Sequence, residues 1–332
     1  MNLRLNPRLS VCNSHLSARL AFMFMLVMSL GFALPFSTFA HTITQLHSPQ
    51  AIIADPGYGY FIANANGDPG NHENNGFITK LDDDGQLVDL HFIQGGQNEV
   101  VLRAPAGMAI IGDRLYIADL DFVRAFDKTT GHPLFALSFA RYQAEGLTGM
   151  VADGQGTLFV SDPETNTIFR IDTARNHLVS IFARDSALSK PRGLAIHPRT
   201  GHLIGVSWEN GKIFEINEQG TITELMANTF FSRPFSNLDG VAFDRYGTMY
   251  ISDFTAGKVW RIYANFTKKE VIAEFLISPA SIGIDREKHL ILVPYLYANG
   301  AEINGLERPT NVGDERKRRT LSDYGLGWLG RD

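Results

Sequence analysis

The chain has 332 residues, 44% of them hydrophobic, and a formal net charge of −5. That is enough apolar material for one large domain with its own core. The acidic balance excludes the basic patch that a nucleic-acid partner would need, and the single cysteine, Cys12, excludes a disulfide framework.

At the N-terminus, Arg4, Arg8 and Arg19 precede an apolar stretch from Leu20 to Phe36, and Thr38-Phe39-Ala40 places a small residue where an export signal would be cut. An uncleaved anchor is the competing reading, since this stretch approaches the roughly 18 residues that span a bilayer. Gly31 and Pro35, late in the stretch, favour cleavage. Residues 1–40 therefore read as a signal peptide of an exported protein, periplasmic or secreted, with no membrane attachment afterwards. Leu9-Ser10-Val11-Cys12 resembles a lipid-attachment box, but it precedes the apolar segment instead of following it. Cleavage removes three arginines and no acids, taking the charge from −5 to −8 and leaving no thiol.

From residue 48 one pattern occurs six times: a Pro or Leu anchor, a variable residue, usually Gly, an apolar run, a turn, and a second apolar run ending in Ala/Ser-Asp or a substitute. The anchors are Pro49, Pro105, Leu147, Pro191, Leu238 and Pro279, spaced 56, 42, 44, 47 and 41 residues apart. A period of about 40 to 50 residues built of short strands and turns is the signature of a β-propeller. The fifth repeat shows the whole unit: Gly240–Phe243, Met249–Asp253, Gly257–Ile262 and Glu270–Phe275 are four strand signals separated by turns. Asp153, Asp244 and Asp285 fall in the turn after the first strand, where Asp bonds its own backbone two residues on.

The sixth repeat shows strands at Ser281–Asp285, His289–Val293 and Ala301–Ile303 but no fourth. Thr42–Leu46 resembles the fourth strands Gln86–Phe92 and Thr221–Met226. Pairing it into the last blade would close the ring and remove an open sheet edge. The prediction is an all-β six-bladed propeller over 41–305, with four-stranded blades and an N-terminal strand completing the sixth. A C-terminal tail over 306–332 carries a mixed charge run, Asp314–Arg319, and an aromatic end, Tyr324–Trp328.

A propeller gathers equivalent residues of every blade around one axis. The positions after the anchors, Gln50, Ala106, Thr148, Arg192, Asp239 and Ala280, are predicted to ring one mouth of the channel. The ends of the second strands, Asn64, Asp119, Asp162, Trp208, Asp253 and Tyr295, are expected one layer out on the same face. Asp119, Asp162 and Asp253 have two uses there, binding backbone amides of a neighbouring strand or contacting a ligand. Trp208 and Tyr295 would supply an apolar wall.

The segment Asn237-Leu238-Asp239-Gly240 through Asp244 and Gly247 to Ser252-Asp253 resembles the repeat of NHL-type propellers and of the gluconolactonase, senescence-marker-protein and luciferin-regenerating-enzyme family. That resemblance implies the propeller fold. For the enzymes it also implies a divalent cation held by a Glu, two Asn and an Asp, with hydrolysis of lactones or related esters. Asp239 matches the family Asp. The other ligands do not carry over: His47-Ser48-Pro49, Leu147-Thr148 and Arg192 stand in their places. Arg192 offers no lone pair to a metal, and it lies one blade from Asp239, whose carboxylate it could pair in place of a cation.

Asn64–Gly76 lengthens the first repeat and is rich in side-chain oxygens, but it lacks the Gly and terminal Glu positions of an EF-hand, and reads as a loop that could cover the mouth. There is no Gly-x-Ser-x-Gly elbow, no His-Glu-x-x-His and no phosphate loop. His197 and His202 flank a turn and read as exposed, and Asn265-Phe266-Thr267 fits a glycosylation acceptor. Two functions follow. One is an exported propeller that binds a small molecule or a protein segment at the mouth through Arg192, Asp239, Thr148, Gln50, Trp208, Tyr295 and the outer acids, without a complete metal site. The other is a lactonase-like hydrolase with altered ligation, Asp239 acting as ligand or base and His47 helping to hold one Ca, Zn or Mn ion.

Overall fold

Runs of Val, Ile, Phe and Tyr with two-residue periodicity, broken by Gly, Asn and Asp turns, become short antiparallel strands. A computed structural model describes residues 40–307 except 71, 265 and 267. All of the predicted signal peptide but Ala40, nearly all of the tail and two positions of the Asn265-Phe266-Thr267 acceptor lie outside the described residues.

The chain opens with β1 (Ala40–Ile43). Blade one is β2 (Pro49–Asp55), β3 (Gly59–Asn64), β4 (Phe77–Leu81) and β5 (Leu87–Gln94), and blade two is β6 (Pro105–Ile111), β7 (Arg114–Asp119), β8 (Phe122–Asp127) and β9 (Pro133–Ser138). Blade three is β10 (Met150–Ala152), β11 (Thr157–Asp162), β12 (Thr167–Asp172) and β13 (Leu178–Arg184), and blade four is β14 (Pro191–Ile196), β15 (Leu203–Ser207), β16 (Ile213–Ile216) and β17 (Ile222–Met226). Blade five is β18 (Leu238–Phe243), β19 (Met249–Asp253), β20 (Lys258–Ile262) and β21 (Lys269–Ala273). Blade six is β22 (Gly283–Asp285), β23 (Leu290–Tyr295) and β24 (Gly300–Gly305), completed by β1. This is an all-β six-bladed propeller, its sheets each four-stranded.

The closing strand pairs Ala40 with Asn304 and Ile43 with Ala301. It ends three residues before the end of the Thr42–Leu46 strand that the sequence predicts. Gln45 adopts a left-handed φ of 68° that ends the strand, and Leu46 turns into the core at 1% exposure.

The core is distributed. Six apolar clusters each join two neighbouring blades, for example Tyr116, Phe139 and Phe169 between blades two and three, and Phe214 with Leu188 and Ile168 between three and four. Each sheet is apolar on both faces because each face meets another blade.

The repeat signature has a direct physical reading. A Cβ on Gly107, Gly149, Gly193 or Gly240 would collide with main-chain atoms of the next blade's inner strand, at Thr148, Arg192, Asp239 and Ser281–Ile282 respectively. Ser161 Oγ accepts from Gly149 N at 2.9 Å and donates to Arg192 O at 2.6 Å. Ser252 Oγ does the same with Gly240 N at 2.8 Å and Ala280 O at 2.7 Å. The glycine allows close approach, and the serine ties the blades at that point.

Candidate functional site at the anchor face

The inner strand starts at its Pro or Leu anchor in blades one, two, four and five and just after it in blades three and six, and runs to the opposite face; the second strand returns. In blades one, two, four and five the ladder between these strands shifts register just after the anchor, between Pro49 and Ala51, Pro105 and Met108, Pro191 and Leu194, and Leu238 and Val241. Such an irregularity bends the strand and re-aims a side chain. Arg192 and Asp239 both sit in one.

The two are brought together as the repeat alignment predicts: Arg192 Nε lies 3.2 Å from Asp239 Oδ1. The Asp239 side chain is 5% exposed and that of Arg192 20%. Burial pushes the Asp239 carboxyl up from its ordinary value, and the Arg192 guanidinium pulls against it. Arg192 also lies over the Trp208 ring, 4.4 Å from its centroid. Trp208 is fixed by its own backbone, whose N–H donates to Lys190 O and whose carbonyl accepts from Asn237 Nδ2.

From Trp208 an aromatic row crosses three blades. Trp208 meets Phe254 at 5.3 Å and Phe254 meets Tyr297 at 5.8 Å between ring centroids. Phe254 and Tyr297 were not predicted. Phe254 directly follows Asp253, so the repeat alignment extended by one residue would have found it. The same face carries Phe230 and Phe231 on the loop between blades four and five, and Phe275 and Ile277 between five and six, 62% to 94% exposed. An accumulation of exposed apolar side chains on one face marks an interaction surface.

Of the other inner positions, Gln50 is buried and its side-chain amide makes no hydrogen bond among the described residues. Thr148 donates its hydroxyl to Gly146 O at 3.0 Å. Ala106 and Ala280 contribute no polar group.

In the outer layer the acids take the structural one of their two expected uses. Asp119, Asp162 and Asp253 are fully buried and are consumed by the loop entering their own blade. Asp119 accepts from Arg103 N and Ala104 N and pairs with Arg124, Asp162 accepts from Glu145 N, Glu164 N and Thr165 Oγ1, and Asp253 accepts from Ser236 N, Asn237 N and Ala256 N. Asn64 is likewise spent on His47 N, Ile62 O and Thr79 Oγ1. These groups cap loops, which is the structural one of the two uses open to the acids. Tyr295 is not a wall of the mouth either: its ring packs in the cluster between blades five and six, and its hydroxyl donates to Glu302 at 3.0 Å. Burial and the Glu302 carboxylate push that hydroxyl's pKa up.

His47 is exposed and packs edge-on against Phe77 at 6.2 Å. Among the described residues no group of three or more His, Cys, Asp or Glu side chains could hold a metal ion. In the Asn64–Gly76 loop, Asn66 Nδ2 donates to Asn75 O, Asn75 Nδ2 to Glu73, and Asn74 bridges Val100 O and Leu102 N. Those oxygens and amides close the loop on itself and on the next blade. His197 is not exposed, as its turn position suggests, but 6% exposed.

No known family model matches this chain, and no curated protein does. Among solved structures it is similar to a protein of unknown function from Bacteroides thetaiotaomicron, at 12% identity and TM-score 0.62 over 79% of this chain and 70% of that one. It is also similar to a streptogramin B lyase, at 12% identity and TM-score 0.59 over 81% and 98%. A catalytically inactive virginiamycin B lyase from Staphylococcus aureus with quinupristin matches at 15% identity and TM-score 0.57 over 81% and 99%. At such identities the likeness concerns the fold alone, and membership of the gluconolactonase-like family is not supported by it.

Proposed function

We infer that this is an exported binding propeller whose anchor face docks a protein segment, using Arg192 for an acidic or carboxylate group and the Trp208–Phe254–Tyr297 row for apolar side chains. The carrying observation is that the Arg192–Asp239 pair opens directly onto an aromatic row bordered by exposed Phe230, Phe231, Phe275 and Ile277. Arginine with aromatic anchors is the composition of binding hot spots. A broad apolar face suits a chain segment better than an enclosed small molecule. Export rests on the predicted signal peptide, and a cut after Ala40 would leave His41–Ile43 to close blade six.

The test is selection of random displayed peptides on the mature protein. Peptides combining an acidic residue with aromatic or aliphatic ones are expected, with binding lost in Arg192→Gln and Phe254→Ala. Stoichiometric, tightly held divalent metal together with chelator-sensitive lactone hydrolysis would overturn this reading in favour of the hydrolase that Asp239 alone suggests.

A further inference from the structure

At the opposite end of the channel lies a cavity of about 710 Å³ to which all six blades contribute. That volume is typical of small-molecule sites. Neither Arg192 nor Asp239 borders it, so it is separate from the anchor-face site. Its wall is of mixed polarity, and the half-buried Ile53, Ile110, Ile196 and Ile284 border it while packing against the clusters between blades.

One buried polar side chain in this wall has an unused group. In blades three, five and six the turn after the inner strand is capped by Asp153, Asp244 and Asp285, each accepting from backbone N–H groups. The second oxygens of Asp244 and Asp285 accept from Tyr250 and Tyr60. Blade four has His197 instead. Its Nδ1 accepts from Arg199 N at 3.3 Å and Thr200 N at 3.2 Å. An imidazole that accepts at Nδ1 carries its proton on Nε2. That Nε2–H has no partner among the described residues, although His197 is only 6% exposed and borders the cavity.

Arg286 reaches the same place from blade six. Its Nε donates to Phe243 O at 2.9 Å, and the Phe243 ring stands edge-on to His197 at 5.3 Å. One residue thus holds both donors, and the Nη groups of Arg286 carry no partner among the described residues. Of the acids on this rim, Asp55 is neutralised by Lys128 at 2.7 Å and Asp153 is turned onto its own loop.

We propose that this end of the channel is a second binding site, for a small amphipathic monocarboxylate whose chain lies among the isoleucines and whose head group accepts from His197 Nε2–H and Arg286. The experiment is calorimetric titration of the mature protein with decanoate, with 1-decanol and decylammonium as comparators. Near one-to-one decanoate binding is expected, at least tenfold tighter than either comparator. His197→Asp keeps the turn cap used by three other blades but repels the head group, and Arg286→Gln alters an exposed residue. Each is expected to weaken binding at least tenfold with circular dichroism unchanged. Ile196→Trp, which fills the channel, is expected to abolish it. No decanoate binding, equal binding of decylammonium, or undiminished binding by folded Arg286→Gln or Ile196→Trp would overturn the proposal. None of these outcomes bears on peptide binding at the anchor face.

Discussion

Replacing Arg192 by Gln leaves the Asp239 carboxylate buried without its cation. At 3.2 Å and an effective dielectric of about 20, the direct attraction is about 5 kcal/mol, much of it offset by the cost of desolvating both groups. Breaking a buried pair by removing one partner costs about 3–5 kcal/mol. Because Arg192 keeps 20% of its side chain exposed, the lower end applies. A loss of about 3 kcal/mol in a domain of this size lowers the melting temperature by about 6–12 °C. Asp239→Asn should cost less, since the stranded arginine can hydrate at the surface. The double variant should recover about 2 kcal/mol relative to the sum of the singles. Burial already raises Asp239 above its ordinary 3.8, and without Arg192 the folded-state value rises further. In the window between 3.8 and that raised value the folded state binds more protons than the unfolded state, so stability falls as pH rises through it. Arg192→Gln should therefore regain stability on acidification, and more so than the wild type. The assay is urea denaturation of all four proteins across pH. An Arg192→Gln protein within about 2 °C of wild type, or strictly additive singles, would refute the coupling.

Three further outcomes follow from the same structure. Ser252→Ala removes the hydroxyl that joins Gly240 N to Ala280 O across two blades; it should cost about 1–3 kcal/mol in chemical denaturation by leaving a buried main-chain group unpaired. Burial and Arg199 hold His197 below its ordinary 6.5. The unfolded state therefore binds its proton first, and stability should decline as pH falls below 6.5, a slope that His197→Asn reduces. Deleting residues 40–46 removes β1 and exposes the site of Ile43 and Leu46, 5% and 1% exposed in the intact fold. Each contributes about 1.5–3 kcal/mol of burial, and the bared β24 edge should show as aggregation in light scattering.

Much of the architecture is legible in the chain because a propeller repeats the same local solution. The Pro or Leu anchor, the Gly and the Ser-Asp recur since each blade must meet its neighbour in the same way, and aligning them pairs Arg192 with Asp239 across 47 positions. The alignment stops at direction. In blade four it is also one residue off: Pro191 pairs with Ser207, as Pro105 pairs with Asp119 and Leu238 with Asp253, so Trp208 shares the register of Phe254 and not of the acids. At the shared position the acids are captured by nearby backbone N–H groups and Ser207 donates to Leu188 O, while the residue after it carries the aromatic ring in blades four and five. Tyr295, opposite Pro279, does take the register of the acids but goes to the interface of blades five and six, where Glu302 accepts its hydroxyl bond.

The sequence by itself therefore determined the number of blades, the closing strand and the partners nearest the axis, because these depend on periodic backbone contacts that every repeat must satisfy. Only the tertiary structure decided which polar groups are spent internally, that Phe254 and Tyr297 extend Trp208 into a row, and that His197 stands in for a turn-capping Asp at the end of the channel opposite the anchors. Those outcomes depend on which neighbour reaches a side chain first. Residues far apart in the chain fix that, and periodicity does not carry it.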